Sequence, residues 1–181
     1  MKKFLSALLI STMIPLSTLA VSLSELQNSD RYEKISERPY DTIYVEKDTI
    51  QSVRYAPPYY TIKCVYYVAD FAGDLIFEMP SVFNYNYNRN KQHIFNKVMS
   101  TTTGNIDKAL AQEAMIDSGM HYEMDNVKSY KMDGTFYTDL NNFNSYSPKN
   151  CEPNSAPYDV ANYLFKKCYN ETFGFEFQPK S

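Results

Sequence analysis

His93 and His121 are the chain's two histidines, so chemistry that needs a proton acceptor near neutral pH has only these to draw on. On a strand, His121-Tyr122-Glu123 places an imidazole and a carboxylate on one side, two of the ligands that a metal site requires. No third ligand follows at a metal-binding spacing, and a solvated strand pair accounts for the same residues. Glu123 and Asp125 could pair as the two carboxylates of a glycosidase, but neighbours in sequence of this kind are ordinary surface charge. The serine-elbow, zincin, P-loop and dinucleotide signatures are absent from the sequence, and five glycines leave little material for a phosphate-cradling loop. The expectation is a protein without catalytic activity, metal or cofactor.

Recognition is better supplied. Asn84-Tyr85-Asn86-Tyr87-Asn88 alternates rings, which stack on sugars and peptide planes, with amides that both donate and accept hydrogen bonds. The same alternation has a packing reading, because Phe83, Tyr85 and Tyr87 at a period of two are what a core face looks like. Seventeen tyrosines beside 11 phenylalanines and no tryptophan suit a sheet with one wet face, since the ring packs while the hydroxyl stays hydrated.

The first twenty residues give an address. Lys2 and Lys3 precede an apolar run from Phe4 to Leu19, and Thr18 and Ala20 suit a signal peptidase, so cleavage after Ala20 is expected. Ser11, Thr12 and Pro15 interrupt a run already short for a membrane span. Removing 20 of the 181 residues leaves 161, the size of one domain, and takes the net charge from −3 to −5 with the loss of Lys2 and Lys3. That balance disfavours nucleic acid as a partner. The exported chain is expected in the periplasm, at the cell surface or outside the cell, with no stable membrane insertion after cleavage.

Export exposes Cys64, Cys151 and Cys168 to oxidation, so one disulfide with one thiol left over is expected. A helix ending at Cys168 and packed on a sheet brings that residue toward Cys64, which favours Cys64–Cys168; Cys151–Cys168 is the alternative.

Residues 21–39 read as a polar leader, with order beginning near Tyr40 and a single domain over 40–178. Within it, 59–68 is the clearest strand, carrying Tyr60, Ile62, Cys64, Tyr66 and Val68 on one face. A return strand follows a turn around Gly73, with Pro80 marking a bulge or an edge, and 93–103 reads as a further strand through Ile94, Phe95 and Val98. A short helix is predicted near 105–118 with Gly119 as its cap, then a hairpin turning at Asp133-Gly134 and a long surface loop over 139–155. Ser155 and Pro157 begin a last helix that Gly174 would stop, before a short strand at Phe175-Glu176-Phe177. The fold class is α+β: an antiparallel meander of five or six strands with a C-terminal helix packed on one face. Asn170-Glu171-Thr172 matches a glycosylation acceptor by chance in such a context.

Tyr44-Val45-Glu46-Lys47-Asp48-Thr49-Ile50, the paired Pro57-Pro58 step into a strand, and the closing Ala161-Asn162-Tyr163-Leu164-Phe165 with Phe173-Gly174-Phe175-Glu176-Phe177 resemble surface-adhesin protein E-like domains and related small exported bacterial proteins. The likeness covers 40–100 and 158–177, with Glu46 and Thr49 departing from the usual motif. It implies a curved antiparallel sheet with a helix against it and a surface-exposed binding role, and it carries no catalytic residue. The partner expected is a protein or glycan at the cell envelope or a host surface. The rivals are a periplasmic envelope component that binds another protein through a sheet edge, and a small secreted hydrolase.

Overall fold

A computed structural model describes residues 21–140 and 147–175. The signal segment lies outside the described residues. Fifteen short elements alternate around one sheet: α1 (Leu23–Asn28), β1 (Tyr32–Glu37), β2 (Asp41–Glu46), β3 (Gln51–Ala56), β4 (Tyr59–Asp70), β5 (Leu75–Asn86), α2 (Lys91–Thr101), α3 (Ile106–Ile116), β6 (Met120–Met124), β7 (Lys128–Lys131), β8 (Phe136–Asp139), β9 (Lys149–Asn150) and α4 (Ala156–Tyr169), with 3-10 turns at Lys47–Thr49 and Tyr87–Arg89. Among the described residues all strand pairs are antiparallel, as the tyrosine-rich alternation implied, and nine strands take part rather than five or six.

The frame is the pair of twelve-residue strands β4 and β5, in unbroken register from Tyr59↔Asn86 to Asp70↔Leu75. Each is too long for one neighbour. Along β4, β3 pairs with one half and β2 with the other; along β5, β6 and β7 divide the length in the same way. Both changes of neighbour fall at one level, the pair Val65↔Pro80, so the sheet narrows there to a two-stranded waist. Thr49 Oγ1 accepts the Val65 N–H at 2.8 Å and donates to the Glu46 carbonyl at 2.8 Å, taking the place of the missing strand. On the other side the Pro80 carbonyl accepts from Asp125 N at 3.3 Å, so this residue points its backbone outward into the gap. A proline there has no N–H to leave unpaired, which explains Pro80 in the middle of a long strand.

One face of the sheet carries the main core. Tyr60, Ile62, Cys64 and Tyr66 of β4, Phe83 and Tyr85 of β5 and Ile43 and Val45 of β2 pack against Val160, Leu164 and Phe165 of α4, with Val68 and Cys168 at the margin. Ser155 caps α4 by accepting from Tyr158 N, and Pro157 sits in its first turn, both as the sequence predicts. The helix ends earlier than predicted, at Asn170 in the left-handed region. Gly174 serves a different purpose: its N–H donates to Asn162 Oδ1 at 2.7 Å, and a Cβ there would lie 2.6 Å from the Tyr158 hydroxyl. The segment therefore folds back against α4 and buries Phe173. Phe175 belongs to no strand, and the remainder of the predicted last strand lies outside the described residues.

Three further expectations are corrected. Residues 21–39 are part of the domain: α1, capped by Ser22, and β1 lay Leu26 and Tyr32 with Val21 over Tyr44, Tyr67, Ala69, Ile76 and Tyr130 on the second face. A polar segment needs only a few apolar contacts to cover half a sheet face. The strand predicted at 93–103 is the helix α2, started by Asn90 accepting from His93 N at 3.0 Å, with Ile94 and Val98 four residues apart toward Leu110 of α3. Gly119 is not the cap of α3, which ends at Asp117; its positive φ and its approach to the Arg89 carbonyl turn the chain into β6. The hairpin at Asp133-Gly134 is present, and within the predicted 139–155 loop β9 pairs with β6.

Candidate functional site

Helix α1 covers only half of the second face. Across the waist the sheet is open, and a groove of about 630 Å³ crosses it. Its floor takes Lys63 and Val65 from β4 and Pro80 and Val82 from β5; its flanks are Asp48, Thr49 and Gln51 on one side and Glu123, Met124, Asp125 and Asn126 on the other. The register makes the centre of the groove a single row, Gln51, Lys63, Val82 and Glu123 lying side by side on four adjacent strands. Asn126, at φ 54°, turns the chain so that Asp125 stands at the rim. The 3-10 turn at Lys47–Thr49 does the same for Asp48.

Asp48, Glu123, Asp125 and Lys63 take part in no ion pair among the described residues. Glu123 accepts only a long contact of 3.5 Å from Asn84 Nδ2, and Asp125 accepts from the N–H of Asn126 at 2.8 Å. The groove thus presents three acidic groups around one lysine on a floor of valine and proline, a surface suited to polar and charged contact.

The sequence-predicted site residues are scattered by the fold. Tyr85 is sealed in the main core, 2% exposed, where its hydroxyl donates to the Ala161 carbonyl at 2.9 Å. Tyr87 leaves the strand in a 3-10 turn and donates to Glu171 at 2.7 Å. Asn86 is spent accepting from Asn88 N, and Asn84 accepts from Thr61 at 2.9 Å on the open face. The 84–88 ladder is therefore not one recognition surface: the packing reading holds for Phe83 and Tyr85, Tyr87 packs at the core's margin against Phe165 and Phe173, and Asn84 meets the groove only through its 3.5 Å contact with Glu123. Its rim residues were legible singly, as in the Glu123/Asp125 pair, but nothing in the sequence joins them to Asp48 and Lys63.

Cys64, Cys151 and Cys168 are all free thiols, bonded neither as Cys64–Cys168 nor as Cys151–Cys168, although Cys64 and Cys151 lie in the main core and Cys168 at its margin. Burial pushes each thiol above its ordinary range, with Cys168 adding to the effect on Cys64, so none is poised as a thiolate nucleophile. His121 Nε2 stands 3.8 Å from Asp117 Oδ1, and His93 Nδ1 lies 2.8 Å from its own helix cap, Asn90. His121 and Glu123 do share the open face, but the described residues contain no group of three His, Cys, Asp or Glu side chains arranged to hold a metal ion. A second pair of carboxylates, Glu46 and Glu78, is occupied by structure: Glu46 accepts from Arg31 Nε at 2.7 Å and the Tyr67 hydroxyl at 3.1 Å, and Glu78 from the Tyr130 hydroxyl at 3.0 Å.

No helix among the described residues is long and apolar enough to cross a membrane. Compared with protein-family models, curated proteins and solved structures, the chain matches none of them.

Proposed function

We propose that this is an exported, non-enzymatic binding protein of adhesin-like character, which takes a partner from the cell envelope or a host surface on the uncovered half of its sheet. The observation that carries this reading is the groove at the waist. It is a concavity of about 630 Å³ on the open half of the sheet, and its charged groups form no ion pair among the described residues. The signal-peptide layout of 1–20 and the resemblance to surface-adhesin domains support export and a binding role.

A second reading has its own observation. β3 is exposed along all six residues and, among the described residues, pairs only with β4, so its outer side is an edge to which a strand could be added, as an envelope component that binds through a sheet edge would require.

A photo-crosslinking residue placed in turn at Val82 in the groove, Val53 on β3 and Phe136 on β8 separates the two in living cells. All three positions are exposed. Adducts at Val82 above those at Phe136 are expected. Adducts at Val53 alone would transfer the function to the edge, and equal labelling at all three, or none, would overturn both readings. Protease treatment of intact cells, in the same strains, reports whether the protein reaches the outer surface.

A further inference from the structure

Resting on the groove as the binding site, we propose that its occupant is an extended protein segment with two basic side chains four residues apart and an acidic side chain midway between them. The argument starts from the charge pattern. Asp48 lies on the β3 side, Glu123 and Asp125 on the β6 side, and Lys63 on the floor between them. Read across the strands, the groove is negative, positive, negative, with a net charge of −2 from these four residues. A uniformly cationic segment would meet Lys63, and an anionic one would meet both rims.

Spacing follows from sheet geometry. Gln51 and Glu123 are separated by three strand-to-strand steps through Lys63 and Val82, and at about 4.8 Å per step they stand roughly 14 Å apart, with Asp48 in the turn that leads into β3 on the Gln51 side. An extended chain advances about 3.4 Å per residue, so about four residues cross that distance. Residues i, i+2 and i+4 of an extended chain point the same way, which presents two basic groups to the rims and the intervening residue between Lys63 and Val82, within reach of the long lysine side chain one strand step from Gln51. Val65, Pro80 and Val82 supply apolar floor for the stems of the long basic side chains. A helix brings i and i+4 to about 6 Å from each other, so a four-residue spacing that spans the groove belongs to an extended chain.

The test uses the mature chain and three blocked seven-residue peptides: Ser-Lys-Ser-Glu-Ser-Lys-Ser, its sign-inverted form Ser-Glu-Ser-Lys-Ser-Glu-Ser, and a form with the lysines three residues apart. Binding is followed by amide NMR at low salt. The first peptide is expected to bind at least tenfold more tightly than either control, to shift the amides of Lys63, Val82 and Glu123, and to weaken as salt is raised. The double variant Asp48→Lys/Glu123→Lys, checked for its native amide spectrum, is expected to lose that preference, and Lys63→Glu to favour a peptide with lysine at the central position. Equal binding of the three peptides, or shifts confined to another face, would overturn the proposed partner chemistry. Crosslinking at Val82 in cells is independent of these peptides: adducts there with no peptide preference would leave the groove as the site and reject this occupant, whereas no adducts would reject the site itself.

Discussion

Replacing Thr49 by valine tests the account of the waist directly. Valine keeps the shape of threonine and removes its hydroxyl, leaving the Val65 N–H and the Glu46 carbonyl without the bonds of 2.8 Å that now satisfy them. Each intramolecular hydrogen bond contributes about 0.5–1.5 kcal/mol net, and a donor left unpaired costs more where water is kept away. Both bonds are part-buried, so water can replace some of the loss, and the expected destabilisation is about 2 kcal/mol. In a domain of this size that lowers the melting temperature by roughly 4–8 °C. Thr49→Ser is the control: it keeps the hydroxyl and gives up one methyl group, for less than about 1 kcal/mol. Urea melts with unchanged m-values and thermal scans of the three proteins give the comparison. If Thr49→Val and Thr49→Ser differ by less than about 0.5 kcal/mol, the hydroxyl does not stand in for a strand and the explanation of the waist is wrong.

Leu164 is fully buried between α4 and β4, so Leu164→Ala should cost about 2–5 kcal/mol in a denaturant melt; a change near zero would contradict the docking of α4 on the main core. Glu113 accepts from Lys97 Nζ at 2.6 Å and Arg89 at 2.8 Å, and the lysine first, then the arginine, hold its carboxyl below the ordinary value of 4.5. The unfolded chain then binds the proton more readily, so this contribution to stability is present above pH 4.5 and is lost as pH falls through the lower folded value. Melts at descending pH should show a shallower loss for Glu113→Gln than for the parent, and identical slopes would exclude the linkage.

The long strand β4 was legible because Tyr60, Ile62, Cys64, Tyr66 and Val68 keep one face apolar at a period of two, although Val65 interrupts the polar face, and a half-buried strand favours that period. The C-terminal helix was legible for a comparably local reason: Ser155 and Pro157 start it, and Val160, Leu164 and Cys168 recur at four. Local signals failed where two elements share a composition. Ile94, Phe95 and Val98 read as strand, yet Ile94 and Val98 are also one helical turn apart, and Asn90 settles the choice by capping the first turn. The 21–39 segment failed for another reason. It carries few apolar residues, and their value depends on an uncovered sheet face that lies elsewhere in the chain.

The candidate site shows the same division more sharply. Residue types and periods along the chain determined the α+β class, the hairpin at Asp133-Gly134 and the burial of Phe83 and Tyr85, because each depends on neighbours within a few positions. Lys63, Val82 and Glu123 come from three separate strands, and only the register of β4, β5 and β6 sets them side by side, while the turn before β3 brings Asp48 to the same groove. The tertiary structure also decided that β2 and β3 divide β4 at the level where β6 and β7 divide β5. Pairing energies between strands distant in sequence fix that level, and a slip of one residue would turn Lys63 and Glu123 into the core.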